Sequence, residues 1–334
     1  MEEYIPRRNN NKTKLIIGIL IGVLFISLGF IYHAYFSAPV ISAESDRFVV
    51  LSKLSISDLS DQLKSGGYIR KYSVFNYFLN KNLTDGNINL GTYTISKSMN
   101  VFQIVSIFSG RPSEIQIVIP PGLRKEEIRE ILSEKFDWSA TQIKEWNDAT
   151  NDPSSDYFEG VYFPDTYLIP NDSTPTDIAK RLRAHFEEKL SPYTKDIAKQ
   201  NMKWTTVIKV ASLIQREAGS NDDMPIISAV IWNRLDKKMK LQIDATIQYI
   251  KGTSSGGWWM PVKHFDLSID SPYNTYIYAG LPPHPIANPG IYAILAAIKP
   301  ASTTCLYYIH DSGRNIHCAT TNAEQNANVT KYLK

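Results

Sequence analysis

Cysteine, net charge and repetition are all scarce in this sequence. Of 334 residues only Cys305 and Cys318 are cysteines, and no CxxC pair exists to begin a zinc or iron–sulfur site. No metal and no cofactor are expected. The net charge of +3 is small and no long run of Lys or Arg accompanies it, so the electrostatic footprint of a nucleic-acid binder is missing and no nucleic-acid partner is expected. Neither an internal repeat nor a low-complexity segment divides the chain, which argues against tandem-array architectures.

Charge is also missing locally. Residues 15–36, LIIGILIGVLFISLGFIYHAYF, contain no Asp, Glu, Lys or Arg, and their number suits one membrane-spanning helix of about 20 residues. Tyr32, Tyr35 and Phe36 form an interfacial aromatic belt, while Arg7, Arg8, Lys12 and Lys14 precede the span. By the positive-inside rule residues 1–14 are a cytoplasmic tail and the remainder is exported. A cleaved signal peptide, with Ala43 as candidate cleavage position, is the alternative, but its apolar region is usually only ~7–15 residues. Both cysteines then face an oxidising compartment. They flank a predicted hairpin, CLYYIH–DSGR–NIHCAT. A two-residue turn at Ser312 and Gly313 would pair Cys305 with Thr320 and Cys318 with Tyr307, a diagonal placement marginal for a bridge. Two reduced structural cysteines are the expectation, and a disulfide the alternative.

What is abundant is aromatic surface, 11% of residues with 19 Tyr and 6 Trp, as in many sugar-binding clefts, although much of it serves cores. The length accommodates a membrane segment and two folded units. After a polar linker at 37–46, residues 47–113 read as a small α/β module. FVVL (48–51) is strand-like, 55–67 is a serine-capped helix ending in glycine, 73–82 a second helix, GTYTI (91–95) a strand, and 100–110 another helix. Residues 114–334 form a second domain, entered through the strand IQIVI (115–119), the Pro120-Pro121-Gly122 turn and a helix over 124–136. A further amphipathic helix is predicted over 177–190. The fold class is α+β.

One helix of that domain carries an anomaly. In residues 205–219, TTVIKVASLIQREAG, Val210, Leu213, Ile214 and Glu217 follow the i, i+3, i+4, i+7 spacing of one face. Glu217 therefore ends an apolar stripe, in the last turn before Gly219, read as the helix-ending residue. Burial and the negative end of the helix dipole both raise a carboxyl pKa toward the range of a general acid. Pairing with Arg216 is the structural alternative. A polar turn over 220–223 follows, its aspartates placed to cap a helix that has Pro225 in its first turn and runs to about Lys238.

Residues 211–250, with FEGVYFPDTYLIP (158–170) and YNTYIYAGLPPHPIANPG (273–290), resemble the MltG (YceG-like) endolytic murein transglycosylase family of membrane-anchored peptidoglycan-cleaving enzymes. The resemblance implies that Glu217 is the acid/base and that the strand-helix-helix-strand module is LysM-like, with the G-x-Y-x-I pattern at Gly91, Tyr93 and Ile95. It implies cleavage of the MurNAc–GlcNAc β-1,4 bond of nascent glycan strands, with 1,6-anhydro ends formed by the C6 hydroxyl. Peptidoglycan strands are then the substrate, membrane cell-wall synthases the candidate protein partners, and the bacterial inner membrane the location. The LysM-like module is either a glycan binder or a spacer.

Alternation over 241–246 puts Gln242, Asp244 and Thr246 on one side of an extended segment, and the family's L-Q-x-D-x-T pattern matches there. Asp244 alternatively holds Arg234 or a backbone amide. Asn274, Thr275 and Tyr276 offer donors, acceptors and a ring face, and the family motif places them in the cleft. Glu159 reads as a turn-fixing residue beside Gly160, and His284 as a hydrogen-bonding histidine in a proline-stiffened loop. His317 matches a family histidine, but Ala319 and Gln325 depart from the pattern, which leaves a C-terminal catalytic contribution open. A glycoside hydrolase and a non-catalytic LysM-type wall-binding scaffold are the competing functions.

Overall fold

The computed structural model describes residues 11–83, 86–151 and 159–333. Arg7 and Arg8 of the expected cytoplasmic tail, and Phe158, lie outside the described residues. The chain is mixed α+β with one apolar N-terminal helix, and it divides into two compact units, Met1–Gln116 with Leu168–Asn171, and Ile117–Tyr167 with Asp172–Lys334.

Helix α1 (Asn11–Tyr35) opens the first unit. Its stretch Lys14–Tyr35 is long and apolar enough to cross a membrane, and side chains such as Phe25, Ile26 and Phe30 are exposed along it. Next come β1 (Ser45–Val50), α2 (Ile56–Ser65), α3 (Tyr72–Asn82), β2 (Gly91–Ser96) and α4 (Val101–Ser109). This is the expected strand-helix-helix-strand order. Ser55 caps α2 by accepting from the Asp58 amide at 3.1 Å, and the Asp58 side chain answers at the Ser55 backbone, satisfying two otherwise orphan donors. Asn100 and Gln103 form the same box at α4. Strands β1 and β2 pair antiparallel over their whole length, and their inner side chains, with α2 to α4, enclose Leu59, Phe75, Tyr93, Ile95 and Phe108. Gly91 has no tolerable substitute, because a Cβ there would stand 2.0 Å from the Glu114 carbonyl oxygen.

Strands β3 (Glu114–Val118) and β4 (Thr166–Pro170) complete the sheet order β1-β2-β3-β4. Between them come α5 (Lys125–Phe136) and α6 (Ala140–Thr150); after them α7 (Pro175–Leu190) and α8 (Thr194–Lys199).

The part of the second unit that matters for chemistry is a packed group of helices. These are α9 (Trp204–Glu217), α10 (Met224–Asp236), α11 (Asp244–Lys251) and α12 (Ile291–Ile298). Helix α9 lies against α10, α11 and α12, and Val210, Leu213 and Ile214, the apolar part of the stripe, are fully buried there. At ~1.5–3 kcal/mol for each such side chain, this face fixes the rotation of α9 and so the direction of Glu217. The helix stops where Ala218 turns extended (φ −70, ψ 133) while its N–H still bonds the Ile214 carbonyl, so Ala218 rather than Gly219 ends it. Pro225 occupies the first turn of α10 as expected. The Asp223 carboxylate does not cap that helix; it meets His310 Nε2 at 3.2 Å.

The hairpin β5 (Tyr307–His310) and β6 (Ile316–Ala319), followed by α13 (Asn322–Tyr332), closes the chain. Its register is one residue from that expected: Tyr307 pairs with Ala319, and Tyr308 with Cys318. The loop has three residues rather than two, since Asp311 pairs with Asn315 and Arg314 takes the left-handed conformation at φ 64. In this register Cys305 and Cys318 have Cα atoms 5.8 Å apart and form a disulfide. The expectation of two reduced cysteines is thereby corrected.

Candidate active site

At the end of α9 the Glu217 side chain enters a cavity of about 260 Å³. Val230, Ile231 and Arg234 of α10 form one wall; Leu241, Gln242, Ile243 and Asp244 form another; Tyr276, Tyr307, Tyr308 and Gln325 complete it. Glu217 Oε2 accepts a hydrogen bond from the Tyr308 hydroxyl at 2.6 Å. Arg216 turns away, its guanidinium 3.7 Å over the Trp259 ring and donating to the Gly122 carbonyl. The helix-end pairing of Glu217 with Arg216 is therefore not made.

Burial is the largest influence on Glu217 and raises its pKa, and the Asp244 carboxylate pushes in the same direction. The Tyr308 hydroxyl, the Ala245 amide and His310 favour the ionised form, but the net displacement is upward. Asp244 Oδ1 accepts from the Tyr276 hydroxyl at 2.6 Å. The cavity thus holds two carboxylates, each met by a phenol.

The segment bearing Gln242 and Asp244 is not an alternating strand. Gln242 sits at φ 53 and Asp244 begins α11, so Gln242 and Asp244 line the cavity while Thr246, two helical positions further, is fully buried. Thr246 Oγ1 donates to the Ile243 carbonyl at 2.7 Å and lies 3.0 Å from Thr275 Oγ1, which also accepts from the Ile243 amide. Asn274, fully buried, donates to the Leu267 and Ile269 carbonyls and accepts from the Tyr276 amide. Thr246, Asn274 and Thr275 therefore stand behind the cavity wall, holding Ile243 and Tyr276 in place; of Asn274, Thr275 and Tyr276, only Tyr276 reaches the cavity.

Arg234 is not bound by Asp244. Its guanidinium donates to the Leu306 and Leu241 carbonyls at 2.6 and 2.7 Å, tying the two walls together. Glu159 does not line the cavity. It is fully buried and accepts from the Lys125 and Gly160 amides and from Asn288 Nδ2, with burial pushing its pKa up to about 8. Gly160, at φ 82 and with Pro285 where a Cβ would go, makes this the turn-fixing site expected. His317 binds Asp311 at 2.9 Å and stacks on Tyr332. The C-terminal contribution to the cavity comes instead from Tyr307 and Tyr308, which the sequence did not single out for the site, and from Gln325, one of the positions that depart from the family pattern.

Residues 48–331 match the YceG-like family. The chain belongs to that family. It is 30% identical to an endolytic murein transglycosylase of Bacillus subtilis, with 93% of this chain and 91% of the relative aligned. A Streptococcus pneumoniae protein of the same name is 25% identical over 88% of this chain, which spans 60% of that longer relative. The crystal structure of a YceG-like protein from Listeria monocytogenes superposes with a TM-score of 0.61 at 28% identity, covering 86% of this chain and 99% of that one.

Proposed function

We propose that this YceG-like protein is an endolytic peptidoglycan lytic transglycosylase in which Glu217 is the acid and base. The observation that carries the reading is a desolvated carboxyl at the end of an apolar helix, facing a cavity and hydrogen-bonded by a neutral phenol rather than neutralised by the neighbouring arginine. Protonated Glu217 delivers its proton to the glycosidic oxygen as the bond to the MurNAc anomeric carbon breaks and positive charge develops on the ring. The resulting carboxylate then takes the proton of the C6 hydroxyl while that oxygen bonds the same carbon. The product is a 1,6-anhydro end, and water is not consumed. Gln242, Asp244 and Tyr276 supply hydrogen-bonding groups to the sugar, and Thr246, Asn274 and Thr275 support the wall behind them.

In this account α1 is a single-pass anchor in the bacterial cytoplasmic membrane, with its N-terminus inside and the catalytic domain (114–334) outside, acting on nascent glycan strands and limiting their length. The module at 47–113 is LysM-like. Asp244 in the same cavity is the specific observation favouring a second reading, a glycoside hydrolase that uses it as nucleophile or base.

Glu217→Gln keeps shape and removes the transferable proton. Turnover of purified glycan strands should fall by at least ~10²–10⁴-fold, the usual contribution of general acid–base catalysis, with the folded state intact by circular dichroism. Near-normal activity would reject Glu217 as the acid.

A further inference from the structure

We infer that Tyr308 is a positioning residue for the transglycosylase reaction, holding one oxygen of Glu217 so that the transferable proton resides on the other. The inference rests on the assignment of Glu217 as the acid.

A carboxylic acid has one oxygen that carries the proton and one that accepts. The Tyr308 hydroxyl donates to Oε2 at 2.6 Å, so in the protonated acid Oε2 is the accepting oxygen and the proton belongs on Oε1. An unrestrained glutamate places its proton on either oxygen and samples several rotamers, and only some of those arrangements reach a glycosidic oxygen; pre-orientation of this kind is where rate is gained. Burial and the adjacent Glu217 carboxylate hold the Tyr308 phenol protonated well beyond its ordinary range. It therefore remains a donor through both halves of the reaction, when Glu217 is an acid and when it is a carboxylate.

The phenol is itself held. Tyr308 is paired with Cys318 in the hairpin, its carbonyl accepts from Gln325 Nε2 at 3.0 Å, and its ring meets His310 edge-on. The Cys305–Cys318 disulfide closes the base of that hairpin. Asn233 and Arg234 of α10 anchor it through the Thr303, Cys305 and Leu306 carbonyls. These contacts join the C-terminal hairpin to the helix bundle that carries Glu217, across 70 to 72 residues of sequence.

The test is Tyr308→Phe in the full-length protein, which removes the hydroxyl and keeps the ring. The kcat on purified glycan strands should fall about 10- to 100-fold with little change in KM, the signature of a contact that matters during proton transfer. The phenol favours the ionised form of Glu217, as do His310 and the Ala245 amide, whereas burial and Asp244 oppose it. Its loss should accordingly raise the Glu217 pKa and move the alkaline limb of the kcat profile to higher pH. The same displacement should be visible without substrate, in the titration of the ¹³C-labelled Glu217 carboxyl assigned by its absence in Glu217→Gln. In the Glu217→Gln background Tyr308→Phe should have no further effect on residual turnover. An unchanged kcat with an unmoved carboxyl titration in a folded variant would overturn the inference. Loss of folding by Tyr308→Phe would overturn it too, by showing that the hydroxyl serves the hairpin. Since the titration needs no reaction, its outcome stands apart from whether the product is that of a transglycosylase.

Discussion

Glu159→Gln should make the second unit more stable, by an amount that grows as pH rises from about 4.5 to about 8. The carboxyl is fully buried, and Oε1 accepts from the Lys125 amide, the Gly160 amide and Asn288 Nδ2 at 3.2, 3.2 and 2.9 Å. A glutamine oxygen can accept all three. Burial raises the folded-state pKa from 4.5 to about 8, so the folded protein retains a proton that the unfolded chain releases. Stability associated with that proton is fully present below about pH 4.5, declines as pH rises, and is gone above about pH 8. At ~1.4 kcal/mol for each pH unit, the interval corresponds to roughly 5 kcal/mol. The amide has no such dependence. All six tryptophans, Trp138, Trp146, Trp204, Trp232, Trp258 and Trp259, lie in the second unit, so urea unfolding followed by tryptophan fluorescence reports this unit alone. Relative to wild type, the variant should gain several kcal/mol between pH 5 and pH 8.5, with glycan cleavage retained. Parallel stability profiles would refute the buried-acid reasoning, and abolished cleavage in a folded variant would refute the structural role.

Three further outcomes are expected. Asp244→Asn removes the carboxylate that helps raise the Glu217 pKa, so the alkaline limb of the activity profile should move to lower pH; an unmoved limb would separate the two groups. Replacing Cys305 and Cys318 by alanine, which opens a closure of 13 residues in sequence, should lower stability by about 2–4 kcal/mol in urea titration under non-reducing conditions; equal midpoints would show the bridge to be dispensable. A reporter fused after Lys334 should be active only outside the cytoplasm, and the protein should remain in membranes after alkaline extraction; cytoplasmic activity would reverse the topology drawn from Lys12 and Lys14.

The helices with a clear period or cap were legible from sequence. The α2 boundary follows from Ser55 and Asp58, and the α9 stripe follows from Val210, Leu213 and Ile214, because burial of one face demands that spacing. Helix α12, IYAILAAI, is apolar all round, with five of its eight residues buried, and so gives no period to read. The stretch over 241–246 alternates as a strand would, yet Gln242 takes a positive φ and the chain turns helical at Asp244; tertiary contacts with Thr275 overrode the local pattern. The disulfide is not legible because it depends on one extra loop residue, Arg314 in the left-handed conformation, which shifts the hairpin register and brings Cys305 and Cys318 together. Glu217 was visible as a charge out of place, whereas Tyr308 was not, since nothing local marks one tyrosine among 19 as the partner of a carboxylate 91 positions away.

In the proposed reaction a hydroxyl of the substrate, and not water, captures the anomeric carbon. Digestion of purified glycan strands in ¹⁸O-labelled water followed by mass spectrometry tests this directly. Internal fragments of several disaccharides ending in unlabelled 1,6-anhydro-MurNAc are expected. Reducing ends carrying ¹⁸O would contradict the proposed reaction and make Asp244 the second catalytic carboxylate of a hydrolase.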